Sequence, residues 1–261
     1  MKRYRWILFL LLLPGCTNNT FTLDLSNWNS GQTPNLTPTV QYADWQQIQP
    51  GVDFKQMLVG EGVTAELFDI VRIDQAHAKL AIAINETQPE TISAWADTLG
   101  VGVVVNGSYF DEQYKILTRT VVDGESTGKL LSGATGLAQQ AVNQTWSITP
   151  WSGEGINTQN AIQSYPLLLN AGVPFSGGSL DTAQRSVLAE AKNGTLYIIV
   201  TEYGALSLDQ LATVLSADLN LDLDYALNLD GGTSTGLAIS GPTINYLDDS
   251  LVVPSVLYIL P

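Results

Sequence analysis

Alternating apolar and polar residues predict strands over most of the chain beyond residue 66. Residues 67–73 and 78–85 alternate as half-buried strands do, whereas 101–105 is a continuous apolar run typical of a strand buried on both faces. Asn193-Gly194 readily adopts the positive φ angles of a tight turn, so it predicts a hairpin between the apolar segments that flank it. Further strand-like segments are predicted at 116–122, 146–150, 161–169, 186–191, 195–201, 225–229 and 251–260.

Two segments predict helices. Residues 89–99 have a helical pattern, with Thr91 suited to the N-cap and Gly100 suited to the C-terminal cap. Ser207 is placed to cap a second amphipathic helix over residues 208–215. Because strands outnumber helices, we expect a single α+β domain with a central, mostly antiparallel sheet and a few helices.

The N-terminal segment predicts export. Cationic residues precede an apolar run at residues 6–13, which is too short for a bilayer span of about 20 residues. Residues 13–16 (Leu-Pro-Gly-Cys) resemble a bacterial lipobox, so Cys16 is predicted to carry a lipid after removal of a signal peptide at 1–15. The alternative is ordinary secretion. Either way, we expect a location outside the cytoplasm, in the bacterial cell envelope, with membrane contact through the lipid anchor only.

The next segment predicts a tether. Residues 16–41 are rich in Asn, Thr, Ser, Gly and Pro and can bury little apolar surface, as in flexible linkers. The folded domain is therefore expected over residues 42–261.

Composition and charge exclude several function classes. The 261 residues carry a net charge of −14, which argues against a nucleic-acid partner because such proteins present a basic face. The sequence holds one His, His77, and one Cys, so zinc sites built from several such residues are excluded. Residues 232–236 match the G-x-S-x-G pattern of serine hydrolases, but no His follows the serine as that mechanism requires.

Two predicted strands end in small polar residues, where functional groups are commonly presented. Segment 106–111 offers the Asn106 amide and the Asp111 carboxylate; the alternative is a tight turn with a buried aromatic pair. Asp230 ends a buried strand just before Gly231-Gly232, either as a catalytic carboxylate or cation ligand, or as an ordinary Asp-Gly turn.

A single arginine is the third candidate. Arg185 enters a predicted strand in a chain with few cations. Its planar guanidinium suits a phosphate or carboxylate ligand. The alternative is an ion pair with one of the 25 acidic residues.

Six segments, in order, resemble the motifs of the phosphodiester glycosidase family, from about residue 51 to the C-terminus. They are Asn106-Gly107-Ser108-Tyr109-Phe110, residues 161–168 (AIQSYPLL), residues 184–187 (QRSV), residues 207–212 (SLDQLA), residues 227–235 (LNLDGGTST) and residues 252–257 (VVPSVL). The chain departs from the family pattern at Tyr165, where the motif has glycine, at Val187, where the family usually has a small residue, and at 247–250, which holds no basic residue.

The resemblance implies hydrolysis of the sugar–phosphate bond of a sugar-1-phosphodiester. Asp230, Arg185 and Asn106 are the implied catalytic residues. Implied substrate-binding residues are Gly107, Gln163, Gly231, Gly232, Asp111 and Glu202, with the backbone N–H groups of the three glycines among the donors to phosphate or sugar. The partner is a carbohydrate phosphodiester or envelope glycan, and no cofactor is required. A divalent cation bridging Asp230 and the phosphate is allowed, but no ligand cluster compels it. The alternatives are a non-catalytic glycan-binding lipoprotein or an exopolysaccharide-assembly lipoprotein.

Overall fold

The structure, a computed structural model, describes residues 40–153 and 155–260. Cys16, the predicted signal peptide at 1–15 and the predicted tether as far as residue 39 lie outside the described residues. Within the described part, no helix is long and apolar enough to cross a membrane.

Short strands dominate the described residues. In chain order they are β1 (Gln46–Gln49), β2 (Val52–Val59), β3 (Glu66–Ile73), β4 (Leu80–Ile84), β5 (Val103–Asn106), β6 (Thr120–Val122), β7 (Glu125–Thr127), β8 (Gly136–Gln140), β9 (Trp146–Pro150), β10 (Ala161–Ser164), β11 (Leu167–Asn170), β12 (Val173–Pro174), β13 (Arg185–Ala191), β14 (Leu196–Thr201), β15 (Leu223–Gly231), β16 (Leu237–Ser240), β17 (Asn245–Asp248) and β18 (Ser255–Ile259). The helices are α1 (Ile92–Leu99) and α2 (Leu208–Ala217), with 3-10 turns at Gly62–Thr64 and Gly232–Ser234.

The strands form three antiparallel sheets rather than the one central sheet expected from the sequence. The large sheet has the order β1-β2-β3-β14-β13-β15-β11-β12. The second has the order β7-β6-β10-β8-β9, and the third β17-β16-β5-β18-β4. Apolar periodicity identifies strands but not their partners, which explains why one sheet was expected.

Capping chemistry confirms both helix predictions. The Thr91 side chain accepts a hydrogen bond from the Ala94 N–H, and Gly100 closes α1 with a φ of 64°. At α2, the Gln210 N–H donates to Ser207 Oγ (3.4 Å) and the Ser207 N–H donates back to Gln210 Oε1 (2.9 Å). This helix runs on to Ala217, beyond the predicted end at residue 215.

Several strand boundaries differ from prediction. Residues 116–122 form a strand only at β6, since Ile116 makes an isolated bridge to Phe110. The predicted segment 161–169 divides into β10 and β11 on two different sheets, with a cis Tyr165-Pro166 bond between them. Residues 46–49 and 52–59, for which the sequence pattern predicts no strand, form β1 and β2.

The core lies between the sheets. One face of the large sheet contributes Leu188 and Leu227 to a buried cluster that also holds Val105 and Ile162 from the other two sheets. The opposite face of the large sheet packs under α2. Helix α1 covers the outer face of the third sheet through Trp95 and other apolar residues. Strand β5 is thus buried on both faces, as its continuous apolar run predicted.

Candidate active site

Strand order brings several chain ends together at one end of the large sheet. Strand β13 begins at Arg185, which lies opposite Gly231 at the end of the antiparallel β15. Strand β11 adjoins β15 on its other side, and β14 adjoins β13. This end of the sheet therefore presents, from strand to neighbouring strand, the residues before β11, the end of β15, the start of β13 and the end of β14.

The other two sheets reach the same place. The Asp230 N–H donates to the carbonyl of Gly107, just after β5 of the third sheet (3.1 Å). Ser164, at the end of β10 of the second sheet, donates from its hydroxyl to the Asn228 carbonyl. The three sheets thus meet around Asp230. We call Asn106, Tyr109, Arg185, Asn228 and Asp230 the junction site.

Asp230 is the ionisable centre of the junction site. Its carboxylate accepts the Gly231 N–H at 2.9 Å. Burial raises the pKa of Asp230 to about 6, although hydrogen bonds from Ser234 and Gly231 and the charge of Arg185 act in the opposite direction. A carboxyl group with this pKa exchanges a proton near neutral pH, as general acids and bases do.

Arg185 brings a positive charge that forms no salt bridge within the described residues. Its guanidinium reaches only the Asp181 carbonyl, at 3.4 Å, and its Nε is buried with no hydrogen-bond partner within the described residues. The same described part of the chain contains no salt bridge to Arg185. A Cβ on Gly231 would lie 3.4 Å from Arg185 Cδ, so the arginine side chain lies directly over the strand end that carries Asp230. The alternative of an ion pair between Arg185 and an acidic side chain is therefore not found in the described residues. A guanidinium without such a partner suits an anionic ligand.

Tyr109 and Asn228 extend the polar surface of the junction site. Asn228 Nδ2 donates to the Tyr109 hydroxyl at 2.6 Å, and that hydroxyl donates to the Tyr165 carbonyl at 2.9 Å. Burial and the negative charge of Asp230 raise the pKa of Tyr109, so its hydroxyl stays protonated. Asn228 Oδ1 is buried without a partner in the described residues. Both residues lie in segments that resemble the family motifs, but the sequence alone assigns neither of them a role.

Asn106 holds the junction together. Its side chain is 1% exposed, and its Nδ2 donates to the Asp230 carbonyl at 2.7 Å. Its Oδ1 accepts the Ser186 hydroxyl and, at 3.3 Å, the Gly236 N–H. With hydrogen bonds at both ends of its amide, Asn106 holds the strand ends in place, and its expected catalytic role stays a prediction.

We expect the Asn106→Ala variant to lose about 1–3 kcal/mol of unfolding free energy, because buried polar partners lose their hydrogen bonds. Chemical denaturation measures this loss, and Asn245→Ala, at the exposed first position of β17, provides the control with little change. Unchanged stability combined with lost ligand affinity would instead assign Asn106 to substrate contact.

The N–H groups of Gly107, Gly231 and Gly232 each donate a hydrogen bond within the chain. Their expected contacts with a phosphate or sugar stay a prediction. The bonds are Gly107 N to Ser255 O (3.0 Å), Gly231 N to Asp230 Oδ1 (2.9 Å) and Gly232 N to Gln184 O (2.8 Å). The first glycine has a packing role, since a Cβ on Gly107 would lie 2.8 Å from Ser255 Oγ.

Two further expected binding residues hold local structure. The buried Gln163 accepts the Leu131 N–H at its Oε1 (3.1 Å) and donates from its Nε2 to the Leu131 carbonyl (3.4 Å), so it positions the loop before β8. Asp111 Oδ1 accepts the N–H groups of Gln113 and Lys115, both at 2.9 Å, and closes the turn after the junction segment. These hydrogen bonds of the Gln163 carboxamide and the Asp111 carboxylate go to residues outside the junction site.

Glu202 belongs to a separate acidic group. It follows β14, two strands from the Asp230 strand, which corresponds to about 10 Å. The Tyr246 hydroxyl lies 2.6 Å from both Glu202 Oε1 and Asp69 Oδ2. Burial raises the pKa of both carboxyl groups. Glu202 therefore shares a buried hydrogen-bond network with Asp69 and Tyr246, and its expected contact with the substrate stays a prediction.

No group of three or more His, Cys, Asp or Glu in the described ranges forms a candidate metal cluster. A cation bridging Asp230 and a phosphate stays a prediction.

Comparison with known proteins identifies the family. Two solved structures share the fold: the zebrafish N-acetylglucosamine-1-phosphodiester alpha-N-acetylglucosaminidase catalytic domain auto-inhibited by its pro-peptide, and a hypothetical protein from Synechocystis. The first is 17% identical, with a TM-score of 0.65, over 85% of this chain and 88% of that chain. The second is 15% identical, with a TM-score of 0.62, over 87% of this chain and 64% of that chain.

No curated protein sequence matches the chain significantly. The model of the phosphodiester glycosidase family matches residues 99–260, a span that contains every residue of the junction site. The chain therefore belongs to the phosphodiester glycosidase family.

Proposed function

We propose that this protein hydrolyses the bond between the anomeric carbon and the phosphate oxygen of a sugar-1-phosphodiester, in the bacterial cell envelope. The observation that carries the proposal is the unpaired guanidinium of Arg185 lying over the strand end that bears Asp230, in a chain of this family. The export pattern of residues 1–16 supports the location, with Cys16 as the lipid anchor.

The two charged groups divide the reaction between them. Arg185 binds the phosphate and stabilises the negative charge that grows on it as the sugar–oxygen bond breaks. Asp230, as a carboxylate, stabilises the positive charge at the anomeric carbon or activates the attacking water, as glycosidase carboxylates do. Water supplies the new hydroxyl on the sugar, and the phosphate leaves as a monoester of its second substituent. A phosphate is a good leaving group, so a strong general acid is unnecessary.

The test is a product assay. Soluble protein of residues 17–261 is incubated with a panel of sugar-1-phosphodiesters, and free sugar and phosphate monoester are measured together. The proposal predicts equal release of both from at least one substrate. Tight binding of the panel without release would favour the non-catalytic glycan-binding alternative, for which the lack of a basic residue at 247–250 is the supporting observation.

The pH dependence follows from the Asp230 carboxyl. If the carboxylate is the active form, kcat/KM rises as pH increases through about 6, the pKa to which burial raises the carboxyl, and levels off above it. The slope below the pKa should be about tenfold per pH unit. A kcat/KM that instead falls as pH rises through 6 would make the protonated form the active one.

A further inference from the structure

Tyr165 lies beside the junction site, just before β11. Its carbonyl accepts hydrogen bonds from the Tyr109 hydroxyl (2.9 Å) and from Asn228 Nδ2 (3.0 Å). The next residue, Pro166, accepts the Asn228 N–H at 3.0 Å. Tyr165 is therefore tied to the strand that carries Asp230, at the neighbouring-strand spacing of about 5 Å.

The ring of Tyr165 packs against one aromatic neighbour and is otherwise open to solvent. It makes an edge-to-face contact with Phe175, with ring centroids 6.3 Å apart and an interplanar angle of 82°. Such contacts fix the orientation of an aromatic ring. The residue nevertheless stays 42% exposed. A large aromatic surface fixed before binding costs little conformational entropy when a ligand packs on it.

The strand order matches the order of groups in the proposed substrate. Arg185 on β13, Asp230 on β15 and Tyr165 before β11 lie on successive neighbours at one end of the sheet. In a sugar-1-phosphodiester the phosphate, the anomeric carbon and the sugar ring also follow one another. With the phosphate on Arg185 and the anomeric carbon at Asp230, the sugar ring extends towards Tyr165.

We propose that Tyr165 is the sugar platform of this site, its ring packing against the C–H face of a pyranose whose phosphate lies on Arg185. This inference rests on the proposed function and adds a residue that sets which sugars bind.

Binding to an inactive background tests the platform directly. In the Asp230→Asn protein, calorimetry measures the dissociation constants of a sugar-1-phosphodiester and of inorganic phosphate. Adding Tyr165→Ala should weaken the sugar ligand about tenfold and leave phosphate unchanged, because only the sugar contact is lost. Tyr165→Phe should stay within about threefold of the parent, since the ring face remains.

Two controls separate a platform from general damage. Tyr165→Leu keeps apolar contact with Phe175 without a flat ring, so it should fold and still lose most of the sugar affinity. Val142→Ala changes a fully exposed apolar side chain in the turn between β8 and β9, away from the junction site, and should change nothing. Equal sugar affinity in Tyr165→Ala and its parent would overturn the platform.

Turnover by the unmutated protein separates the two proposals. An active enzyme whose Tyr165→Ala variant keeps its KM would refute the platform and leave the proposed function intact. Sugar affinity that depends on Tyr165 in a protein without turnover would refute hydrolysis and support the platform. Absence of any sugar-phosphodiester binding would refute both.

Discussion

Asp230→Asn is expected to lower kcat/KM for a sugar-1-phosphodiester by about 10³-fold, the magnitude typical of a catalytic carboxylate or electrostatic stabiliser. The variant loses the charge that faces the anomeric carbon while keeping the shape of the side chain. Its Oδ1 can still accept the Gly231 N–H, so the strand end should stay in place.

The same variant should be more stable than the parent at pH 8. Burial raises the pKa of Asp230 to about 6 from its ordinary value of 3.8, so the folded state binds a proton more tightly than the unfolded state. Stability from this group is therefore greatest at low pH and is lost as pH rises through about 6. A neutral Asn removes that loss and should add about 1–3 kcal/mol at pH 8.

Activity and stability moving in opposite directions would exclude unfolding as the reason for lost turnover. Asp44→Asn, at an exposed position, is the control and should change neither quantity. Full turnover by Asp230→Asn would remove Asp230 from the mechanism.

Arg185→Ala is expected to lower kcat/KM by about 10²–10³-fold, because the phosphate loses the cation that stabilises its developing charge. Arg185→Lys should restore only part of this, since an ammonium cannot reproduce the planar fork. The comparison uses steady-state kinetics on one sugar-1-phosphodiester together with the affinity for inorganic phosphate.

The fold should tolerate the loss of the Arg185 side chain. The backbone N–H of Arg185, which donates to Thr201 Oγ1 at 2.8 Å, is kept in the variant, and no internal ion pair in the described residues is broken. Arg72→Ala, which breaks the 2.8 Å ion pair to Asp53 on a distant part of the sheet, is the matched control. It should keep its kcat/KM, whereas unaltered phosphate affinity in Arg185→Ala would disprove the phosphate assignment.

The sequence predicted the parts of the fold that depend on neighbouring residues. Ser207 and Gln210 form the capping box that begins α2, and Asn193-Gly194 forms the turn between β13 and β14. Helix caps and tight turns depend on residues only a few positions apart. The three-sheet arrangement depends on which distant strands pair, for example β5 with β16 and β18. No local pattern encodes that choice.

The same distinction applies to the site. Motif position brought Asn106, Arg185 and Asp230 forward, and the structure places them together. Motif position does not predict the hydrogen-bond partner of each polar group. The Gly107 N–H donates to the Ser255 carbonyl, and Gln163 accepts the Leu131 N–H. Both partners lie far along the chain, so no local motif indicates them.

Strand order also separates two carboxylates that look alike in the sequence. Glu202 follows β14 and Asp230 lies at the end of β15, yet β13 lies between these strands. Glu202 instead shares the Tyr246 hydroxyl with Asp69. The sequence contains both carboxylates but not the strand order that separates them.

The most direct test of the account is which bond breaks. Hydrolysis of a sugar-1-phosphodiester in ¹⁸O-labelled water, followed by mass spectrometry of both products, reports this without any variant. The account predicts the label in the anomeric hydroxyl of the released sugar and none in the phosphate monoester, because Asp230 acts at carbon and Arg185 stabilises the departing phosphate. Label in the phosphate would show attack at phosphorus and would contradict the glycosidase reaction proposed for this site.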